Sequence, residues 1–181
     1  GAVSLAGVSP AVRALFGITT DEQAQQLGAQ TLDLVFADQN GSGASITVHE
    51  VVRDQERVYL LLDFTLPDGV SLPQSEPTAN GWTFWLGEED GGFSADFYGD
   101  EACTQRGNPR SWSFGCQGVE DDDPGDRTIP LMLQVSADDT LPQQAQYLQV
   151  RRLSSLWAWR EGEQVSVMEN LDFNLVLPIE T

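Results

Sequence analysis

Residues 46–66, which read ITVHEVVRDQERVYLLLDFTL, decide the fold of this chain. Two apolar runs, residues 46–52 and 58–66, are separated by the polar tetrad 54–57. In the second run, apolar side chains occupy both alternating faces, which is typical of a strand that is covered on both sides in the middle of a sheet. A polar tetrad between two such runs predicts a hairpin turn.

Apolar residues recur with period two along most of the chain that follows residue 30. Turn-forming combinations of Gly, Pro, Asn and Asp lie between many of these runs. Many short strands at this spacing indicate an antiparallel sandwich or barrel. We therefore predict a mainly β protein with one antiparallel β-sandwich domain over residues 30–181. The predicted strands are residues 31–37, 45–52, 58–66, 81–86, 93–98, 111–117, 127–136, 146–153, 165–168 and 171–177.

Residues 1–29 are predicted to form a short helical N-terminal arm. Ser9 suits the N-cap of a first helix, and Pro10 suits its first position, where a missing N–H costs nothing. Thr20 and Gln23 have the spacing of a capping box for a second helix. Both helices are too short to be stable alone, so we expect their apolar side chains to dock on the main domain.

The composition excludes several classes of partner and chemistry. The chain has 181 residues with 28 acidic and nine basic side chains, and its net charge is −19. This charge repels nucleic acid and disfavours anionic membrane surfaces. All nine basic residues are Arg. The absence of Lys removes Schiff-base chemistry and phosphate-loop lysines. We expect no cofactor.

The start of the chain suggests a piece of a longer protein. It begins with Gly1 and Ala2 rather than Met. We interpret Gly1 as a residue left by a protease, with an upstream signal or membrane helix cut away. The chain itself contains no apolar run of about 18 residues that could cross a membrane.

Four motifs occur in an order that resembles a known family. They are SPAVRALFG at residues 9–17, ITVHEVVRDQERVYLLLDFTLPDG at 46–69, EDDDPGDRTIPLMLQVSADDTLP at 120–142 and DFNLVLP at 172–178. Together they resemble an uncharacterised extracytoplasmic domain, a domain of unknown function, of Gram-positive membrane-anchored proteins related to anti-sigma factors. The resemblance covers most of the chain and is weakest between residues 87 and 118.

This resemblance implies a fold and a setting, because its motifs are structural rather than catalytic. It implies an immunoglobulin-like β-sandwich in the cell envelope, outside a single transmembrane helix that would lie directly before Ala2. It also implies a non-catalytic sensory or interaction role in a membrane-anchored signalling regulator. The expected partner is an unknown protein or cell-envelope ligand, and membrane contact would come only through a segment outside this chain.

The two cysteines, Cys103 and Cys116, are candidates for a disulfide. They lie 13 residues apart, and the turn signal at residues 107–109 lies between them. A bond across a hairpin would be geometrically easy, and an extracytoplasmic setting would permit it. Two free thiols are the alternative. Zinc binding by the two cysteines is disfavoured, because a zinc site usually needs four ligands at tight spacing.

Catalytic signals are weak, so we predict that the chain is not an enzyme. His49 is the only histidine and shares its strand face with Thr47, so we predict a solvent-facing strand residue. The chain has no G-x-S-x-G elbow and no H-E-x-x-H helix. A carboxylate pair could hydrolyse a glycoside, but 28 acids do not single one out. A hydrolase of the cell envelope is the third and least favoured hypothesis for the function.

The acidic run at residues 120–126 is a weak calcium candidate through Asp121, Asp123 and Asp126. Calcium needs several oxygens that converge on one point. The run lacks the regular alternation of the helix–loop–helix calcium motif. The favoured interpretation is a solvated acidic loop whose carboxylates bond turn amides, with no metal.

Paired aromatic residues suggest the alternative function of a glycan-binding module of the cell envelope. Alternation places several Trp residues beside another aromatic, and such pairs form flat platforms for sugar rings or fill a core. We favour the core for most of them, and Trp85 lies on the opposite face from Trp82. Burial of all four platform candidates would remove the support for glycan binding. The candidates are Trp82, Trp112, Trp157 and Trp159.

Overall fold

The computed structural model describes residues 28–72, 82–88, 92–119 and 126–179, together with Glu22. In these residues the chain is mainly β, and all its strands pair antiparallel. The strands are β1 Gly28–Ala37, β2 Ser45–Arg53, β3 Arg57–Thr65, β4 Thr83–Gly87, β5 Ser94–Tyr98, β6 Trp112–Gly118, β7 Thr128–Ala137, β8 Tyr147–Arg151, β9 Ser155–Arg160, β10 Glu163–Met168 and β11 Leu175–Pro178.

The strands form three sheets. A five-stranded sheet has the order β1-β2-β3-β7-β6, and two three-stranded sheets have the orders β10-β9-β4 and β11-β8-β5. The predicted hairpin is confirmed, since β2 and β3 pair antiparallel on either side of the turn, beginning with Arg53 opposite Val58. The Asp54 carboxylate accepts the N–H groups of Glu56 and Arg57 at 2.8 and 2.7 Å, which fixes the turn. β3 lies in the middle of its sheet, as its apolar faces predicted.

One hydrophobic core is shared by all three sheets. From β3, the alternate side chains Val58, Leu60, Leu62 and Phe64 are buried in it, and Phe173 meets the Phe64 ring edge-on at 5.9 Å. The remaining β3 face is buried as well, because Tyr59 is 6% and Leu61 is 9% exposed. The prediction that β3 is covered on both faces is therefore confirmed.

Two polar side chains, the buried Asp38 and the half-buried Arg53, hold sequence-distant segments together. Asp38, in the turn after β1, accepts backbone N–H groups from Asn40, Ser42 and Asp172. Arg53, at the end of β2, donates to the carbonyls of residues 145 and 179 at 2.6 and 3.0 Å. Each side chain therefore makes hydrogen bonds to backbone groups that the pairing of the strands does not satisfy, and it takes the place of water there.

Each of the ten predicted strands overlaps an observed strand, but β9 was missed. The predicted strand extends to residue 153, whereas β8 ends at Arg151. The next residue, Arg152, has a positive φ of 63°. β9 then returns to β10 through Glu161 and Gly162, which have φ of 46° and 82°. Two positive φ values in a two-residue loop are typical of a hairpin turn. β11 begins at residue 175 rather than at 171.

The predicted N-terminal arm, residues 1–29, lies outside the described residues except for Glu22 and the first two residues of β1. β1 begins at Gly28, three residues before the first predicted strand at residue 31. A search of the described residues finds no helix with the length and apolar character to cross a membrane.

Candidate functional site

The sheet β10-β9-β4 carries an aromatic face, formed by Trp85, Trp157 and Trp159. Trp85 of β4 pairs with Trp157 of β9, and Thr83 pairs with Trp159. The Trp85 and Trp157 rings are stacked, with centroids 6.2 Å apart and planes 15° apart. Trp157 is 9% exposed, whereas Trp159 is 45% exposed. Strand alternation puts these three side chains opposite the core residue Leu156.

A groove lies beside this face, where β4 and β6, the outer strands of their sheets among the described residues, approach each other. The two strands are linked by the Leu86 N–H, which points at the Cys116 sulfur 3.5 Å away. The groove is open and has a volume of about 430 Å³. We call it the aromatic groove. Its lining residues are Thr83, Phe84, Trp85, Gly115, Cys116, Gln117 and Gly118.

The described residues that line the aromatic groove are uncharged and leave backbone accessible. A Cβ atom added at Gly115 would meet no described atom within 4 Å, and one at Gly118 would lie 3.5 Å from Thr83 Cγ2. A flat ligand ring can therefore approach the β6 backbone closely. The Thr83 hydroxyl and the Gln117 amide are the polar side chains of the lining, and both can donate and accept hydrogen bonds.

Three indole N–H groups in and around the aromatic face are buried without a hydrogen-bond partner among the described residues. They belong to Trp82, Trp85 and Trp157. The Arg160 guanidinium lies over the Trp82 ring, 4.7 Å from its centroid. A buried donor without an acceptor costs about 1–3 kcal/mol. Two of these donors, those of Trp85 and Trp157, belong to one stacked pair, which marks a surface that is not arranged for stability alone.

The four predicted platform residues do not form one platform. Trp112 lies on β6 with its Nε1 donating to the Ala95 carbonyl at 2.7 Å, and it packs against the core. Trp157 and Trp159 share the aromatic face, and only Trp159 is strongly exposed. The sequence interpretation left out Trp85, because the pairing of β4 with the unpredicted β9 could not be derived. Since not all four are buried, the glycan hypothesis keeps its support.

The structure does not form the predicted disulfide. Cys103 and Cys116 are both free thiols. The segment between them is no hairpin, because β5 pairs with β8 while β6 pairs with β7. Burial raises the pKa of the Cys116 thiol to about 11, although the Leu86 N–H opposes it. Burial and the Asp100 charge also raise the pKa of Cys103, so neither thiol is activated as a nucleophile.

His49 lies between two carboxylates that the sequence interpretation did not identify. Its Nδ1 is 3.0 Å from Asp33 Oδ1, and its Nε2 is 2.6 Å from Asp63 Oδ2. The ring is half-exposed, so the prediction of a solvent-facing residue holds only in part. Both ring nitrogens are therefore engaged by carboxylates in this structure.

The acidic candidates provide no metal site in the described part of the chain. Asp121 and Asp123 lie outside the described residues. Asp126 accepts the Thr128 N–H at 2.9 Å, which is a turn contact. Glu88, the described member of a second acidic run, receives two bonds from Arg152 at 2.9 and 2.5 Å. A search of the described residues finds no group of three His, Cys, Asp or Glu side chains placed to hold a metal.

Comparison with known proteins adds no relative: no protein-family model, curated protein or solved structure matches the chain. The resemblance to the anti-sigma-related domain therefore stays a prediction from the sequence motifs.

Proposed function

We propose that this chain is a non-catalytic binding domain whose ligand lies in the aromatic groove and against the aromatic face. One observation carries the proposal. A groove of about 430 Å³, whose described lining residues are uncharged, is bordered by Trp85. Trp85 stacks on Trp157, and Trp159 is exposed on the same sheet face. The volume is in the range of small-molecule sites, which are mostly apolar with a few polar groups that orient the ligand.

The ligand class that fits this lining is carbohydrate. A sugar ring has an apolar C–H face that packs on an indole. Trp85 and Trp159 offer such rings on the same face, at diagonal positions across the β4–β9 pair. Sugar hydroxyls need neutral partners that both donate and accept, which the Thr83 hydroxyl and the Gln117 amide supply. A net charge of −19 further favours neutral over anionic glycans.

The proposed setting is the cell envelope. The motif resemblance supports an extracytoplasmic sensory or interaction domain of a membrane-anchored regulator related to anti-sigma factors. Glycan binding would then be the sensed event. It changes signalling only if the ligand has different affinities for two states of the regulator. The tether would be a transmembrane helix upstream of this chain.

We propose an immunoglobulin-like β-sandwich as the arrangement of the three sheets. In it, the five-stranded sheet forms one layer and the two three-stranded sheets form the other. The single core, to which all three sheets contribute side chains, supports this arrangement. The aromatic groove would then lie along one open side of the sandwich, where the edge strands β4 and β6 approach each other.

Calorimetric titration with a soluble tetrasaccharide of N-acetylglucosamine tests the proposal, with an extended peptide of similar mass as the competing probe. We expect the tetrasaccharide to bind. Trp85→Ala should weaken binding about tenfold or more, as is usual for a central Trp. Gln117→Ala should weaken it less. Trp112→Phe is the matched control, because Trp112 lies outside the groove lining.

Two results would contradict the carbohydrate proposal. One is no binding of the tetrasaccharide together with peptide binding that Trp85→Ala abolishes, since the groove would then take a peptide. The other is tetrasaccharide binding that Trp112→Phe weakens as much as Trp85→Ala does. In that case the ligand would lie away from the aromatic groove.

A further inference from the structure

Two strand irregularities lie side by side in the five-stranded sheet. The β1–β2 register shifts between Thr31 and Leu34, and the β2–β3 register shifts between Val48 and Glu50. The first shift contains Asp33, whose φ of 49° is in the left-handed region that non-glycine residues rarely adopt. Bulges redirect side chains and are common beside functional sites.

The side chains at these bulges form a three-membered chain across three strands. Asp33 on edge strand β1 contacts His49 Nδ1 at 3.0 Å, and Asp63 on central strand β3 contacts His49 Nε2 at 2.6 Å. The two carboxylates lie at opposite sides of the imidazole ring. They do not converge on one point, so the arrangement suits a proton on the ring rather than a metal ion.

We propose that His49 is a proton-controlled pin that fastens edge strand β1 to the centre of the sheet. The imidazolium form donates to both carboxylates. The neutral ring has one N–H and one lone pair, whereas an ionised carboxylate only accepts. Loss of the proton therefore breaks one of the two contacts, and the sheet has one closed and one partly open state.

The contact that breaks is the one to Asp33. The Asp63 contact is shorter, its side chain is 30% exposed, and its strand is paired on both sides. The Asp33 side chain is 70% exposed, its strand is an edge, and its backbone is in a strained region. The neutral ring therefore keeps its N–H on Nε2, toward Asp63, and releases β1 at the bulge.

The charges around His49 set the direction of the pH dependence. Asp33 and Asp63 face the ring from β1 and β3, Glu50 follows it on β2, and β7 presents the uncharged Pro130 opposite Asp63. Burial alone would lower the pKa of His49, but the hydrogen bonds and charges of the two Asp residues outweigh it. They raise the pKa above its ordinary value of 6.5. The pin is therefore fully closed below pH 6.5 and opens as pH rises through the folded pKa.

Nuclear magnetic resonance of the whole chain between about pH 6 and pH 9 tests the pin. Imidazole nitrogen shifts report the proton and its position, and amide hydrogen exchange, corrected for intrinsic rates, reports the opening of β1. We expect the neutral ring to carry its proton on Nε2. Protection of β1 amides near residue 33 should fall about two- to fivefold as His49 deprotonates, the range that an exposed ion pair supports.

Asp33→Asn is the matched variant, because its amide can donate to the unprotonated Nδ1 of the neutral ring. It should keep β1 protection at high pH and remove the pH dependence. Unchanged protection of wild-type β1 across the titration would overturn the proposal. So would a neutral ring with its proton on Nδ1. The pin does not involve the aromatic groove, so either outcome leaves the proposed ligand site untouched.

Discussion

Replacing Asp38 by Ala should produce one of the larger losses of stability available from a single polar side chain in the described residues. Asp38 is 6% exposed and lies in the turn that joins β1 to β2. Its carboxylate accepts N–H groups from Asn40 at 3.0 Å and Ser42 at 3.1 Å within the turn. It also accepts the N–H of Asp172, 134 residues away, at 2.8 Å. The same side chain therefore shapes a turn and holds the segment that precedes β11.

The magnitude follows from the number of donors that the substitution leaves without an acceptor. Asp38→Ala orphans three backbone N–H groups, each worth about 1 kcal/mol when its site is partly buried. We therefore expect a loss of about 3 kcal/mol in the free energy of unfolding. Asp38→Asn keeps one carbonyl oxygen as an acceptor, so its loss should be about half as large.

Chemical denaturation followed by tryptophan fluorescence measures these losses. Asp100→Ala is the matched control, because the Asp100 carboxylate also accepts two backbone N–H groups, from Thr104 and Gln105 at 2.9 and 2.8 Å. Those contacts stay within one exposed loop, so the control should shift the midpoint much less. Equal shifts for the two Ala variants would refute the reasoning that the long-range contact of Asp38 is what matters.

The Asp38 contribution should also depend on pH. Burial would raise the pKa of this carboxyl, but the hydrogen bonds from Ser42, Asp172 and Asn40 outweigh it and hold the pKa below its ordinary value of 3.8. The stabilisation is therefore present above pH 3.8 and is lost as pH falls through the folded pKa. The difference between wild type and Asp38→Asn should shrink in that acid range.

Two further predictions follow from side-chain surroundings. Thiol labelling of the native protein at about pH 8 should modify Cys103 at least tenfold faster than Cys116, whose pKa burial raises to about 11. Equal native rates would contradict the raised pKa of Cys116, and after unfolding both thiols should react. Gly107→Ala should cost about 1–3 kcal/mol, because its Cβ would lie 2.9 Å from the carbonyl oxygen of residue 144. Gly115→Ala, with open space around its Cβ, should stay within about 0.5 kcal/mol of wild type and is the control for denaturation.

The central hairpin could be predicted from the sequence because its signals are local. Alternation in residues 58–66 showed two apolar faces, and the tetrad at 54–57 showed a turn whose first residue, Asp54, bonds the turn amides. β9 was missed because the break before it depends on the positive φ of Arg152. A positive φ is uncommon for Arg, so the sequence gives no sign of this break. The Glu161–Gly162 pair, which lies between two runs of alternating residues, could have indicated the hairpin turn between β9 and β10.

The aromatic groove could not be predicted because it is a product of strand pairing. Trp85 meets Trp157 only through the β4–β9 register, and β4 meets β6 only where two sheet edges approach each other. The disulfide prediction assumed a hairpin between the two cysteines, but Cys103 lies in the loop after β5 and Cys116 lies on β6. These two strands pair with different neighbours. Likewise, the carboxylates of Asp33 and Asp63 contact His49 where the strand register shifts twice. The alternation of apolar residues along a strand does not predict such shifts.

The indole N–H signals of the five Trp residues give the most direct test of the proposed ligand site. Nuclear magnetic resonance resolves them one by one during titration with the N-acetylglucosamine tetrasaccharide. The proposal predicts saturable shifts for Trp85, Trp157 and Trp159, while Trp112, which donates to the Ala95 carbonyl, stays in place. A tetrasaccharide that moves none of the three, or that moves Trp112 as much as Trp85, would contradict carbohydrate binding in the aromatic groove.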